Sequence, residues 1–365
     1  LNAVSLSVEC GGLRDGQPVE RHLNDDLASQ GVIFTDLATA VREHEALVRE
    51  YFMTRCVPPT DSKFAALHGA FWNSGVFLYV PRGVVVSLPL RAVVHADLAA
   101  GSSLAHTLIV VEPRAEVTYA EDFVSPAHAG GLGFSNRVAE LIVKQDAGLH
   151  YAGVQRWGQG VYDFHTERAV LDRDTHATVQ TIELGARLSK GRVEAILNGS
   201  GANARLLGLY IADGHQHLDR YTLQDHRAPN GTSDLLFKGV LADQARSVFS
   251  GLIRVLPEGT GTAAYQQNRN LLLSGHARAD SIPNLEIRAN DIQGCTHGAT
   301  VGKVDEEQLF YLMCRGLERV DATRLIVEGF VDPVLAAIPI ASLRDGLRRE
   351  VQERVNVVHT QAAAS

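Results

Sequence analysis

For more than two hundred residues, from about position 76 to position 301, short apolar runs follow one another with Gly, Asp, Asn or Pro between them and no persuasive long helical period. That pattern excludes a βαβ layout, in which strands alternate with helices of roughly 10–15 residues. A sandwich, a closed barrel and a β-solenoid remain. A loose internal repeat favours the solenoid: Gly201-Ala-Asn-Ala-Arg, Asp243-Gln-Ala-Arg, Gly259-Thr-Gly-Thr-Ala and Gly275-His-Ala-Arg each put a small or polar turn before an alanine and a following apolar run. Their spacing drifts between roughly 15 and 40 residues. This suits an irregular parallel β-helix, whose stacked rungs each bury one face, better than a regular hexapeptide coil. A large β-sandwich is the competing architecture.

Helical periodicity flanks this core. Leu37, Val41, Leu47, Val48, Tyr51 and Phe52 fall roughly on one stripe that ends at Pro58-Pro59, and a short second helix is expected over 63–71. Beyond Gly302, Asp305 and Gln308 make an approximate capping box, and a second helix over 320–330 breaks near Pro333. Leu343, Leu347, Val351 and Val355 then recur every fourth residue as the apolar stripe of a third helix. The expected organisation is a mainly helical region over 1–75, a parallel β-helix core over 76–302 and a C-terminal helical domain over 303–365. The last of these can fold against the end of the solenoid or dock on a partner.

A formal charge of −8 over 365 residues, with no run of four basic residues, argues against nucleic acid or an anionic membrane surface as partner. No stretch approaches the roughly 18 apolar residues of a membrane span, so the expected location is the cytoplasm. The four cysteines, Cys10, Cys56, Cys295 and Cys314, are scattered and form no CxxC pair, which suggests reduced thiols and no complete metal or cluster site within one chain.

Three groups could carry chemistry. His215, His217 and His226, interleaved with Asp213, Asp219 and Asp225, could hold a metal in a cupin-like or β-helix metal-dependent enzyme. The Glu expected after such a His-x-His is missing, and polar ladders on a hydrated sheet explain the same residues. Asp280, Glu286 and Asp291 are candidates for a sugar-cleaving carboxylate pair, though scattered acids are the usual background. The sharper constellation is Cys295-Thr-His297: two apart on a strand, thiol and imidazole share a face and form a ligand pair for iron or zinc, or a nucleophile and base without an orienting third group. The glycine-rich run from Pro257 never reaches Gly-Lys-Ser/Thr, so the chain is not expected to hydrolyse ATP.

Longer motifs carry a family resemblance. Asn268-Arg-Asn-Leu-Leu-Leu-Ser, Ala277-Arg-Ala-Asp-Ser-Ile-Pro-Asn-Leu-Glu-Ile, Cys295-Thr-His-Gly-Ala-Thr-Val-Gly and Gln224-Asp-His-Arg-Ala-Pro-Asn-Gly-Thr-Ser-Asp-Leu-Leu-Phe-Lys-Gly-Val-Leu resemble the SufB/SufD family of iron–sulfur cluster assembly scaffolds, over about 63–330. The Cys-Thr-His version is closest to the SufD type; the SufB type typically carries His-Glu-Ala-Thr there. The resemblance implies a right-handed parallel β-helix with helical regions at both ends and no enzymatic activity of its own. It implies pairing with SufB, a transient iron–sulfur cluster at that interface with His297 and Cys295 on this side, and no cofactor held tightly by the chain alone. It further implies coupling to the SufC ATPase, which binds the ATP, through the C-terminal region. Arg344, Leu347, Arg348 and Val351 are the candidate contacts there, and a homodimer is the alternative association for the isolated chain.

Overall fold

The computed structural model describes the backbone of residues 4–10, 18–21, 25–96, 98, 101–126 and 132–364, with side chains from 26 to 356 within those spans. From Ser74 to Lys303 the chain coils through about eight turns of a β-solenoid, laying strands alternately into two sheets. Each strand pairs, parallel, with the strand one turn later in its own sheet: Leu188–Leu197 with His217–His226, and Asn203–Ala212 with Thr232–Leu241. Parallel stacking of successive turns excludes the antiparallel sandwich. Alternate residues point inward, so in-register positions form columns, such as Val117, Leu149, Ala177, Ala204 and Ala264, all buried.

The corners explain how the coil keeps its register. Arg114, Asp146, Asp174, Gly201, Asn230 and Gly261 occupy one corner of six successive turns, all with φ between +55° and +72°. The N–H of each donates to a carbonyl in the next turn, Asp146 to Arg173, Asp174 to Ser200 and Asn230 to Thr260, at 2.7–3.0 Å. The left-handed corner is filled by Gly, Asn and Asp, which tolerate it, and once by Arg.

Before the coil, α2 (Leu37–Glu43), α3 (Glu45–Tyr51) and α4 (Lys63–Phe71) pack beside the second sheet, while Leu27 of α1 (Asp25–Ser29) joins the core inside the coil. The single stripe expected over 37–52 is two helices, because His44 at φ −132° leaves the helical region, and Val41 faces outward. Asp36 and Ser62 cap α2 and α4 by accepting from Thr39 N and Ala65 N. The apolar run from Val84 forms only a bridge between Val85 and Glu116; Pro89 interrupts it, and the ladder begins at Leu90. At this end the strand Ile33–Asp36 closes the second sheet by pairing antiparallel with Ser74–Val80.

After the coil come α5 (Glu306–Met313), α6 (Arg319–Leu335) and α7 (Ala341–Ala364). The helix expected over 320–330 continues through Pro333, which removes one N–H···O bond two residues before the helix ends at Leu335. Helices α6 and α7 lie along the flank of the first sheet, over Ala152, Ile182, Leu207, Leu209 and Val240. Gln180 Nε2 donates to Val334 O and Lys238 Nζ to Phe330 O, both at 2.6 Å, and Arg156 pairs with Glu350 at 2.9 Å. No described helix is long and apolar enough to cross a membrane.

Candidate functional site

The final turn consists of Arg278–Ile287 in one sheet and Ile292–Lys303 in the other. Each pairs on one side only, with Arg246–Val255 and Thr262–Leu272 respectively, so among the described residues both outer edges lack a partner strand. A parallel edge presents a row of N–H and C=O groups ready to pair with another chain. Apolar side chains surround it: Tyr265, Ile282, Leu285, Ile287 and Val301 are all exposed, Ile282 by 52%. Pro283 takes one backbone donor out of the first edge strand, whereas Ile292–Lys303 has no proline.

Cys295 and His297 stand on that second edge strand. Cys295 continues the buried column above Ala264 and packs partly against Ile253, Val255 and Ile292. Partial burial pushes its thiol pKa up, so the resting group is a thiol and ligation would release a proton. His297 continues the next inward column, above Leu206, Leu235 and Gln266, all fully buried; with no turn above it, His297 is exposed. The strand thus presents a thiol and an imidazole on one face, at the open mouth of the coil.

The other described cysteines lie elsewhere. Cys56 is buried, its Sγ donating to Arg168 O, with burial raising its pKa well above the usual value; Cys314 is exposed at the end of α5.

The histidine triplet does not form a site. His215 is exposed in a turn, His217 faces outward at the start of its strand, and His226 is buried nine residues further on. An even or odd offset decides the face of a strand, and nine residues put the two rings on opposite faces, roughly 30 Å apart. His226 Nε2 bonds Ser233 Oγ at 2.8 Å, and burial lowers its pKa to about 4. The carboxylates Asp280 and Glu286 pair with Arg278 and Arg288 beside them.

Among the described residues one group has metal-ligand spacing, and the sequence reading missed it: Asp163, His165 and Glu183, inside the coil. Its signal was legible, since Asp163, His165 and Glu167 alternate and must share the inward face. Its electrostatics are already closed. Asp163 takes both arms of Arg137 at 3.1 and 2.8 Å, together with Trp157 Nε1 and His165 Nδ1, and Glu183 pairs with Arg220. Those charge partners and hydrogen bonds hold Asp163 well below the usual carboxylate range despite its burial, while burial drives His165 down to about 4. Two guanidiniums against two carboxylates leave no negative charge for a cation.

The comparisons with known proteins agree with this geometry. Residues 94–330 match the SUF system FeS cluster assembly, SufBD core domain, and residues 10–92 match the SufBD protein N-terminal region. The chain belongs to the SufB/SufD family. It is 34% identical to the iron–sulfur cluster assembly protein SufB of Bacillus subtilis over 328 residues, 89% of this chain and 70% of that protein. It is 32% identical to an iron–sulfur cluster assembly SufBD family protein of Staphylococcus epidermidis over 326 residues, with the same shares. The SufB/SufD core domain therefore covers the coil from residue 94 onward, its open last turn, α5 and most of α6.

The C-terminal candidates divide by burial. Leu347 and Val351 are buried against the first sheet, so the stripe of α7 covers its own solenoid. Arg344 is partly buried, and Arg348 pairs with Asp332 at 2.6 Å on the rim of a groove of about 400 Å³ between α6 and α7. The exposed apolar surface of this region lies instead on Phe310, Tyr311 and Met313 of α5, on Leu317, and on Val320 and Leu325 of α6. Sequence periodicity could not separate the two surfaces, because both read as apolar stripes.

Proposed function

We propose that this chain is the SufD-type, non-enzymatic subunit of a SUF assembly complex, pairing with a SufB-type chain through its open last turn. On this reading a transient iron–sulfur cluster, the cargo of the complex, forms between the two chains. The observation that carries the reading is the exposed His297 beside half-buried Cys295 on an edge strand that lacks a partner among the described residues. Two ligands from one chain do not complete a four-coordinate iron site, so the remainder must come from the partner. Neutral imidazole ligates iron directly, and Cys295, whose thiol must first lose a proton, is the supporting or alternative ligand.

The ATPase of the system, SufC, docks on the exposed apolar residues of α5 and α6, since an apolar patch on a charged helical pair is the kind of surface a partner covers. ATP belongs to that partner; the present chain has no phosphate-binding loop. The identity with a SufB is compatible with a shared core, while the Cys295-Thr-His297 sequence favours the SufD type.

The test is anaerobic reconstitution with SufB, SufC and ATP, measuring iron and sulfide per complex. His297→Ala is expected to leave complex yield unchanged and lower cluster yield. Normal cluster yield rejects the role of His297, and loss of the complex assigns the residue to pairing alone.

A further inference from the structure

We propose that Gln266 is the positioning residue for His297: its buried side-chain carbonyl accepts the second ring N–H of His297 when the other ring nitrogen holds the cluster. The proposal rests on the function proposed above and assigns a role inside the coil, beneath the site. Gln266 is in register with His297 on the neighbouring strand, so the two side chains share one inward column. Gln266 has no exposed surface, yet both Oε1 and Nε2 lack a hydrogen-bond partner among the described residues. A buried amide with both ends unsatisfied is costly, and such groups in a native fold call for an explanation.

The facing sheet makes room for this amide. A Cβ on Gly251 would lie 2.4 Å from both amide atoms, so a side chain there would displace them. The other amide near the mouth is already committed: Asn268 donates to Tyr210 Oη and Phe237 O and accepts from Asn270 Nδ2 and Ser281 Oγ. Gln224 is held through its Nε2 by Ser233 Oγ and Tyr265 O; its Oε1 is unpartnered among the described residues, but the residue lies on the facing sheet and outside the column of His297. The same sheet makes a histidine–glutamine bond between adjacent strands on its outer face, His150 Nε2 to Gln180 Oε1 at 3.2 Å, there between residues two positions out of register. A metal-bound imidazole almost always donates its remaining N–H, which fixes the tautomer and raises ligand strength. Gln266 is the group in the column of His297 that can accept it.

The experiment uses the reconstituted complex with SufB and SufC, reading cluster half-life under a chelator and the histidine nitrogen coupling of the reduced cluster by pulsed electron resonance. Gln266→Leu and the unbranched Gln266→Met should each pair normally, lose the cluster about tenfold faster and alter the coupling. Gln266→Glu, which keeps an acceptor in place, should restore both. If His297→Ala abolishes the cluster while the Leu and Met variants keep wild-type half-life and coupling, Gln266 has no positioning role. If His297→Ala itself changes nothing, the proposed function falls and this inference with it.

Discussion

The inside of the coil is unusually polar for a packed core, and its ionisable residues set how the fold responds to acid. Burial lowers His165 and His226 inside the coil to about 4, and His68, held between α4 and the outer face of the second sheet, to about 3. Each is neutral when folded, and the unfolded chain takes up protons there below about 6.5, so the stability they leave intact at neutral pH is lost as pH falls from 6.5 toward 4. Buried Glu167 has the opposite sign. Burial raises its pKa to about 7, so its contribution is present at low pH and lost as pH rises from about 4.5 to 7. Three histidines outweigh this glutamate, and the net expectation is weakening on the acid side, each unit of displacement being worth about 1.4 kcal/mol. His226→Gln keeps a partner for Ser233 and removes one titrating ring. Urea midpoints measured at pH 7 and pH 5 should differ less in this variant than in the parent; an equal difference would show that His226 does not titrate with unfolding. The same interior explains why the network around Asp163 and the role given to Gln266 escape a reading of apolar periodicity: inward Asp, His, Glu and Gln look like the solvated face of a strand.

At the scale of the element, the solenoid was legible where strands alternate and illegible where the corners repeat. The true repeat is the left-handed corner, recurring roughly every thirty residues at Arg114, Asp146, Asp174, Gly201, Asn230 and Gly261. Four residue types serve there because the requirement is a backbone conformation, so no single letter marks every corner. The Gly–Ala pattern that suggested a repeat caught only some of these corners. Helix α7 shows a second limit, because its four-residue period fixed which face is apolar and said nothing of what covers it. With Leu347 fully buried against the first sheet, Leu347→Ala should destabilise the isolated chain by about 2–5 kcal/mol in chemical denaturation. Phe310→Ala and Tyr311→Ala, both on exposed side chains, should leave that midpoint within about 0.5 kcal/mol while weakening capture of SufC in a binding titration. Unchanged capture by both α5 variants would move the docking surface off this helix.

Taken whole, the molecule has two unlike ends, and the difference decides how it assembles. At the N-terminal end Ile33–Asp36 reverses direction against Ser74–Val80, and an antiparallel strand placed there stops the parallel coil from continuing. At the other end nothing among the described residues follows Arg278–Ile287 and Ile292–Lys303, and α6 and α7 run past along the flank. A solenoid normally protects its last rung with a polar cap, and this one presents Ile282, Leu285, Ile287 and Val301 instead. Association through the last turn should therefore close at two chains, because both sheets end at the N-terminal side in an antiparallel strand that does not continue the parallel coil. Charged substitutions at Ile282 and Val301 test this without touching the core, since both side chains are already at least 45% exposed. The double variant Ile282→Lys, Val301→Lys should unfold at the parental temperature and elute as a monomer, and it should fail to form the complex with SufB in light-scattering measurements. Complex formation at parental affinity by this variant would place the pairing surface away from the last turn, and with it the cluster site away from Cys295 and His297.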